Sequence, residues 1–477
     1  MSPSHREPDG FKNALTLFQG SARTVPAYRD FLEKNNIKPE KIRTIEDFQQ
    51  VPPMDKENYL RAYPYRDLFP NRIIPPVVSM SSGSSGMPFY WPRGDEQEEN
   101  GGRMHEVIFR DILRIGSERT LVIVCFSMGT WIAGAFTTAS CRWLSKQGYT
   151  VTTATPGIEK EDALALLRDL APEFDRCILA GYPPFIMDVV TEARHRHIPI
   201  HDLKLNLLFA GENFSEKWRT TIHGLTGIKD PLAGSVNIYG TADADICGHE
   251  SPLSIFIRKE AAHNQKFART FFNAATFLPT LVHYYPEKKF FEYVNDELIF
   301  TAQSGIPLIR YNIKDRGRLI PNAHVKKILR EFGLHNEIRK HNLDRWTLPL
   351  LTLGGRSDVA LTFYALNIYP ENIKAGLEDR AVAKLVSGKF IARTQLTHNG
   401  THQKFILHVE LERRHTSSSR KTKLVQTTLY KHLRTLNNEY RKLCASIGDW
   451  ALPHIVLLPF GDPMFQVKKS KHRWISR

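Results

Sequence analysis

The chain has 477 residues, of which 42% are hydrophobic and 24% charged, and its formal net charge is +15. This length suits two or three domains, and the hydrophobic content excludes a chain that is disordered over most of its length. No apolar segment reaches the roughly 18 residues that span a bilayer and the N-terminus is polar, so we expect a cytoplasmic protein with no membrane partner. The five scattered cysteines form no C-x-x-C pair, which argues against a disulfide framework and a structural zinc site.

The positive charge is concentrated at one end of the chain. Residues 356–477 contain 21 lysines and arginines against 9 acidic residues, a net charge of +12, which leaves +3 for residues 1–355. A basic module of this kind attracts phosphates, acidic proteins or nucleic acid. The alternative is a set of solvated surface charges without a partner.

Residues 10–70 alternate helix-like stretches with proline breaks, as in the apolar spacing of Phe11, Leu15 and Phe18. From residue 120 to 350, strand-like and helix-like runs alternate. The strand-like runs are Leu121–Phe126, Arg176–Ala180 and Leu203–Phe209, and Ala163–Leu170 has helical spacing. This alternation predicts an α/β domain with a mainly parallel sheet covered by helices.

The pattern changes after Arg356. Three strand-like runs and a long basic helix follow, at Lys389–Thr394, Phe405–Leu411, His454–Leu458 and near Thr422–Leu443. We therefore predict a large α/β domain over residues 1–355 and a separate, smaller α+β domain over residues 356–477.

The loop S-S-G-S-S-G-M-P, residues 81–88, follows an apolar run and precedes an aromatic one. Its glycines allow close approach of the backbone to a ligand, and its serine hydroxyls and free amide groups suit phosphate oxygens. It lacks the lysine of a Walker A loop and does not match G-x-G-x-x-G. A flexible Ser/Gly connection is the alternative.

Together with three later stretches, this loop resembles the ordered motifs of the adenylate-forming superfamily, which includes acyl-coenzyme A synthetases and peptide-synthetase adenylation domains. The later stretches are Tyr239-Gly240-Thr241-Ala242-Asp243, Arg310-Tyr311-Asn312-Ile313-Lys314-Asp315 and Gly355-Arg356-Ser357-Asp358. The opening region, including Val51–Tyr59, is similar to that of the phenylacetate-coenzyme A ligase-like branch. The resemblance implies an N-terminal adenylate-forming domain and a small mobile C-terminal lid.

The resemblance also implies a role for each matched residue. The loop residues Ser81, Ser82, Gly83, Ser84, Ser85 and Gly86 would grip the β- and γ-phosphates of ATP, and Gly211 and Glu212 would face adenine. Tyr239, Gly240 and Thr241 would bind ATP, Thr241 through a hydroxyl offered to the α-phosphate, and Asp243 would hold Mg²⁺. Asp315 would accept hydrogen bonds from the ribose hydroxyls, Arg356 would bind ribose or phosphate and Asp358 would be the hinge. Lys471 would be the adenylation lysine, with a basic tail that contains three closely spaced lysines as the alternative.

Two departures from the family pattern concern the ATP site. Met87 replaces the lysine of the phosphate loop and removes one positive charge from the triphosphate site. Lys314 replaces the glycine expected before Asp315, at a position where glycine would give the backbone conformational freedom. We also expect residues 126–131 and 181–184 to contribute to a pocket for an apolar or aromatic acid, with core packing as the alternative.

The implied activity is ATP-dependent activation of a carboxylic acid as acyl-AMP, followed by transfer to a thiol. Coenzyme A and the phosphopantetheine of an acidic acyl carrier protein are the candidate thiols. One alternative transfers the acyl group to an amine or another nitrogen nucleophile. Another is a non-catalytic relative that binds nucleotides or nucleic acid, although nucleic acid is not the partner we expect because no aromatic-basic recognition motif is present. The sequence names neither the acid nor the acceptor.

Overall fold

The computed structural model describes residues 6–81, 89–273, 278–356, 361–364, 366–396, 403–466 and 474–475. The chain divides into two compact units. The first comprises residues up to Asn273 together with Pro279–Gly354, and the second consists mainly of the residues from Gly355 onward. In the described part of the chain, no helix is both long and apolar enough to cross a membrane.

The strands up to the end of the first unit are β1 (Val77–Met80), β2 (Tyr90–Arg93), β3 (Thr120–Cys125), β4 (Val151–Ala154), β5 (Arg176–Gly181), β6 (Leu205–Ala210), β7 (Ser235–Thr241), β8 (Asp245–His249), β9 (Thr280–His283), β10 (Lys289–Val294), β11 (Glu297–Ala302), β12 (Leu308–Ile320) and β13 (Leu350–Arg356). Strands β3 to β13 form one eleven-stranded sheet in the order β10-β11-β12-β13-β9-β8-β7-β6-β5-β3-β4. The strands from β4 to β7 are parallel, whereas β7 pairs antiparallel with β8. The sheet is therefore mixed, and the predicted parallel pairing holds only for strands β3 to β7.

The helices of the first unit are α1 (Arg6–Thr24), α2 (Pro26–Lys34), α3 (Ile45–Gln49), α4 (Asp95–Val107), α5 (Ile132–Lys146), α6 (Lys160–Ala165), α7 (Pro183–His195), α8 (Glu216–Thr226), α9 (Pro252–His263), α10 (Gln265–Phe272), α11 (Asn322–Glu331) and α12 (His335–Lys340). Strands β3 and β5 are buried along their whole length, because helices cover both faces of the parallel strands. Along β3, Leu121 and Ile123 join the core under α6 and α7, whereas Val122 and Val124 join the core under α5. This alternation is the period of two expected of a strand.

The second unit is built on strands β14 (Leu361–Phe363), β15 (Leu366–Ile368), β16 (Val386–Leu396), β17 (Gln403–Leu411) and β18 (His454–Leu458) and on helices α13 (Pro370–Leu377), α14 (Ser419–Leu436) and α15 (Asn438–Ile447). β17 lies between β16, antiparallel to it, and β18, parallel to it. Val425, Leu429 and Leu433 on one face of α14 enter the core of this unit. The predicted strands are confirmed, and the fold is α+β.

The basic stretch predicted as one helix forms two. Asn437 separates α14 from α15 with an extended backbone, φ −123° and ψ 105°. Its side-chain oxygen accepts a hydrogen bond from the Tyr440 amide at 2.9 Å, which caps α15. Asparagine is more favourable at such caps than inside helices, so α15 begins as a separate helix after Asn437.

Candidate active site

The two central motifs lie side by side and exchange hydrogen bonds. The Tyr239 hydroxyl donates to Asp315 Oδ2 at 2.6 Å, and the Tyr311 hydroxyl donates to Asp243 Oδ2 at 2.6 Å. Both motifs read Y-x-x-x-D, and each tyrosine holds the aspartate of the other motif. Two segments about seventy residues apart in sequence, one at the end of β7 and its following turn and one in β12, thus form one arrangement.

Asp243 is the more buried of the two aspartates. Its side chain is 5% exposed, and the Lys56 ammonium lies 3.3 Å from the same Oδ2 that Tyr311 contacts. The Asp243 carbonyl accepts a hydrogen bond from the Ser304 hydroxyl at 2.8 Å. A buried carboxylate needs such partners, because removing it from water without them is costly.

The turn between β7 and β8 is closed by Thr241. Its hydroxyl oxygen accepts a hydrogen bond from the Ala244 amide at 2.9 Å, so Thr241 and Asp243 belong to one small turn.

Burial raises the pKa of the neighbouring Cys247 to about 12. The Cys247 thiol is therefore protonated at neutral pH and is no nucleophile.

A buried ion pair supports the same turn. Lys289 Nζ lies 2.9 Å from Asp245 Oδ1, and both side chains are nearly inaccessible to water. Burial raises the pKa of Asp245, and the Lys289 ammonium opposes that rise. Asp245 has a left-handed backbone, φ 52°, so the turn holds a conformation that few residues other than glycine adopt.

The turn after β6 carries the two residues predicted to face adenine. Gly211 has φ 89°, a conformation that favours glycine. The Tyr182 hydroxyl donates to Glu212 Oε2 at 3.1 Å, and Asn237 Nδ2 donates to the Glu212 carbonyl at 3.1 Å. Because β5, β6 and β7 are parallel, the turns after them lie at one edge of the sheet, where ligands of α/β proteins bind.

Sequence reasoning did not select Asn237. It is 4% exposed, and among the described residues no donor contacts its Oδ1. A buried acceptor of this kind usually has a partner, and the exocyclic amine of adenine would supply one. The sequence signal that could have identified Asn237 is its position two residues before Tyr239.

Sequence reasoning also passed over Lys56, although it lies within the stretch used to recognise the ligase-like branch. It is positioned by Met54, whose carbonyl accepts from the Asn312 amide at 2.8 Å and whose amide donates to the Arg310 carbonyl at 3.1 Å. The N-terminal segment thus runs parallel to β12 beside Tyr311. No pattern in the sequence predicts that Lys56 contacts Asp243, because the two residues are far apart along the chain.

The phosphate-loop prediction can be followed only at the base of the loop. The Ser81 amide donates to the Phe89 carbonyl at 3.0 Å, and the Phe89 amide donates to Ser81 Oγ at 3.1 Å, which closes the β1–β2 hairpin. The predicted residues Ser82, Gly83, Ser84, Ser85 and Gly86 lie outside the described residues, as do Asp358 and Lys471. Arg356 ends β13, and its side chain is likewise outside the description.

The structure therefore brings Tyr239, Thr241, Asp243 and Asp315 together and places the turn of Gly211 and Glu212 at the same edge of the sheet. Gly240 lies in β7 between Tyr239 and Thr241. The arrangement presents two oriented carboxylates, a threonine turn and one ammonium group. Such a set can bind the hydroxyls and phosphates of a nucleotide.

The chain as a whole is similar to known proteins. The chain is 25% identical to the phenylacetate-coenzyme A ligase of Pseudomonas putida over 426 residues, which cover 86% of this chain and 83% of that ligase. The fold is similar to that of 2-hydroxyisobutyryl-CoA ligase in the postadenylation state in complex with R3-HIB-AMP, with a TM-score of 0.69, 16% identity, and coverage of 100% of this chain and 90% of that one. No family model matches the chain.

A further solved structure with a similar fold is the acyl acid amido synthetase AtGH3.15 in complex with 2,4-DB. The TM-score is 0.63, the identity 12%, and the match covers 99% of this chain and 92% of that one. These similarities confirm the predicted fold class and the resemblance to the adenylate-forming superfamily and its phenylacetate-coenzyme A ligase-like branch.

Proposed function

We propose that this chain, a relative of the phenylacetate-coenzyme A ligases with the fold of adenylate-forming enzymes, uses ATP to convert a carboxylic acid into an acyl-AMP and then transfers the acyl group to a thiol. The observation that carries the proposal is the crossed pairing of Tyr239 with Asp315 and of Tyr311 with Asp243. This pairing supports the proposal because each carboxylate expected to serve ribose or Mg²⁺ is hydrogen-bonded to a tyrosine of the other motif.

In the first half-reaction a carboxylate oxygen of the acid attacks the α-phosphorus of ATP, and the bond to the β-phosphate breaks to release pyrophosphate. Asp315 would hold the ribose hydroxyls, and the Thr241 hydroxyl would meet the α-phosphate. The loop Ser81–Gly86, Arg356 and Lys471 would contribute to phosphate binding as the sequence predicts. Positioning and charge neutralisation supply most of the catalysis in such phosphate chemistry.

The donor set suits Mg²⁺, which prefers one or two carboxylates completed by substrate phosphates and water. Asp243 offers one carboxylate, and within the described ranges no group of three or more His, Cys, Asp or Glu residues could hold a metal by itself. Asp243 would therefore hold the ion together with the phosphates of ATP. When bound, the ion would neutralise charge on the α- and β-phosphates.

In the second half-reaction a thiol sulfur attacks the carbonyl carbon of the acyl-AMP, the thiol loses its proton, and AMP leaves. We propose coenzyme A as the acceptor. The phosphopantetheine of an acidic acyl carrier protein is the alternative thiol. The second unit suits either, because α14 exposes cationic side chains, at Arg420, Lys423, Lys431 and Arg434, and contains no acidic residue. Asp358 would be the hinge of a C-terminal lid.

An amine is the second candidate acceptor, because an acyl acid amido synthetase shares the fold. The two candidates have the same first half-reaction and differ only in the nucleophile. Products formed from a trapped acyl-AMP with coenzyme A or with amines, identified by mass spectrometry, would separate them.

The first half-reaction is tested by exchange of labelled pyrophosphate into ATP across aromatic, fatty and amino acids. We expect exchange that depends on both the acid and Mg²⁺, because adenylation is reversible while the acyl-AMP stays bound. Absence of exchange with every acid would refute the proposal. If tight, salt-sensitive RNA binding accompanied that absence, the non-catalytic alternative would replace it.

A further inference from the structure

Lys56 has a fixed backbone next to the candidate site. Met54 forms two backbone hydrogen bonds with β12, one to Arg310 and one to Asn312. Asp55 caps the short helical turn that begins at Lys56. The start of the Lys56 side chain is thus held in place, while its four-carbon stem leaves the ammonium group free to move.

The Lys56 ammonium lies between a buried carboxylate and water. It is 3.3 Å from Asp243 Oδ2 and 5.6 Å from the centre of the Trp91 ring. The Lys56 side chain is 26% exposed, whereas that of Asp243 is 5% exposed. The ammonium can therefore leave Asp243 for a ligand on the solvent side without crossing the core.

Trp91 connects Lys56 to the predicted phosphate loop. It lies in β2, the strand that begins directly after that loop, and it pairs with Ser79 in β1. Lys56 thus contacts both the strand that follows the loop and the carboxylate expected to hold Mg²⁺. In the sequence, Met87 stands where the family's loop has lysine, so the predicted triphosphate site has one cation fewer than the family pattern.

We propose that Lys56 is a catalytic residue that supplies this cation. In the structure Lys56 pairs with Asp243. When Asp243 holds Mg²⁺, the Lys56 ammonium would instead contact the β- and γ-phosphate oxygens of ATP. No covalent bond changes in this exchange, because a carboxylate partner is replaced by a phosphate partner. The inference rests on the proposed function of the site.

Lys314 is the competing candidate, since it too is close to the site. Its ammonium lies 3.5 Å from Asp55 Oδ2, on a side chain that is 38% exposed. It therefore faces the carboxylate that caps the turn of Lys56, whereas Lys56 faces Asp243. The contacts favour Lys56 as the phosphate ligand.

The test compares binding of ATP and AMP to Lys56→Met by calorimetry in the presence of Mg²⁺. We expect the affinity for ATP to fall about tenfold to a hundredfold, as for loss of one charge-assisted hydrogen bond, and the affinity for AMP to change by less than about threefold. Lys56→Arg keeps the charge and should retain ATP binding within about tenfold of wild type. Equal losses for ATP and AMP, or unchanged ATP binding, would overturn the inference.

Lys34→Met is a matched control. The Lys34 ammonium also pairs with an aspartate, Asp30 at 2.7 Å, and also lies over an aromatic ring, that of Tyr63 at 5.1 Å. It should leave ATP binding unchanged, and an equal loss in both lysine variants would also count against Lys56. Wild type that binds ATP but shows no acid-dependent pyrophosphate exchange would refute the proposed function, while the ATP-to-AMP comparison would still decide the role of Lys56.

Discussion

At the scale of single residues, two tyrosine hydroxyls orient the carboxylates on which the candidate site depends. Tyr239 holds Asp315 and Tyr311 holds Asp243, each at 2.6 Å. A hydrogen bond to a charged group contributes about 1.5–3 kcal/mol, enough to fix a carboxylate in one orientation. The nucleotide would therefore meet groups that are already aimed, and binding would cost little reorganisation.

Replacing Asp315 by asparagine should weaken the binding of ATP, because the contacts with the ribose hydroxyls change. A carboxylate can accept from both ribose hydroxyls, whereas an amide has one acceptor oxygen. We expect Asp315→Asn to raise the KM for ATP about tenfold in pyrophosphate exchange. The preference for ATP over 2′-deoxy-ATP should shrink in the same variant.

The control for this prediction is Asp296→Asn. Asp296 also accepts a hydrogen bond from a tyrosine, Tyr293, but it lies in the turn between β10 and β11. Its replacement should leave both nucleotides unaffected. If Asp315→Asn kept the wild-type preference for ATP over 2′-deoxy-ATP, the assignment of Asp315 to ribose would be wrong.

Lys314 illustrates how a departure from a family motif is accommodated. The sequence predicts a position suited to glycine, and the backbone there has φ 69°. The left-handed conformation costs about 1–2 kcal/mol for a residue with a Cβ atom. Asn312 Oδ1 accepts the Lys314 amide hydrogen at 2.8 Å, which helps to hold the turn in spite of the strain.

At the scale of elements, a buried network of four charges joins α8, α9 and β7. Arg219 and Arg258 share Glu216 and Glu250 at 2.6–3.1 Å, and all four side chains are at most 5% exposed. Burial alone would raise the pKa of Glu216, and the two guanidinium groups lower it. Glu250 Oε2 also accepts the Asn237 amide hydrogen at 2.9 Å, so the network positions the strand that carries Tyr239.

Removing one charge from this network should destabilise the first unit. Glu250→Gln would leave two buried guanidinium groups with one carboxylate, and breaking a buried ion pair costs about 3–5 kcal/mol. We expect a loss of this size in the free energy of unfolding, measured by urea denaturation. Glu161→Gln, in an exposed pair with Arg196, should change the free energy of unfolding far less, because water and salt screen exposed charges. Similar losses in the two variants would contradict the assigned role of the network.

At the scale of the whole molecule, four buried histidines among the described residues couple stability to pH. Burial lowers the pKa of His105, His223 and His249 to about 4 and that of His283 to about 3. In the unfolded chain these residues titrate near 6.5. Between about pH 6.5 and 4, the unfolded chain therefore binds protons that the folded chain does not bind, so the stability these residues contribute is complete above pH 6.5 and is lost as the pH falls.

We expect the free energy of unfolding to drop with decreasing pH by up to about 1.4 kcal/mol per pH unit for each histidine. Urea denaturation at several pH values between 7.5 and 4.5 measures this slope. His283→Asn should reduce the slope by the share of one proton, because that site no longer titrates. A slope that is the same in wild type and variant would show that His283 does not contribute.

The sequence by itself predicted the fold class and led to the proposed chemistry. Strands and short motifs depend on residues that are close in the sequence. The sequence therefore predicted the buried strands, the ordered motifs with Asp243 and Asp315, and the alternation of strands and helices. Only the tertiary structure decided which motif tyrosine holds which aspartate and that Lys56 and Asn237 lie at the site. It also decided that the sheet turns antiparallel after β7. These contacts join residues tens to hundreds of positions apart, and no local pattern encodes a partner at that distance, because the packing of whole elements brings the partners together.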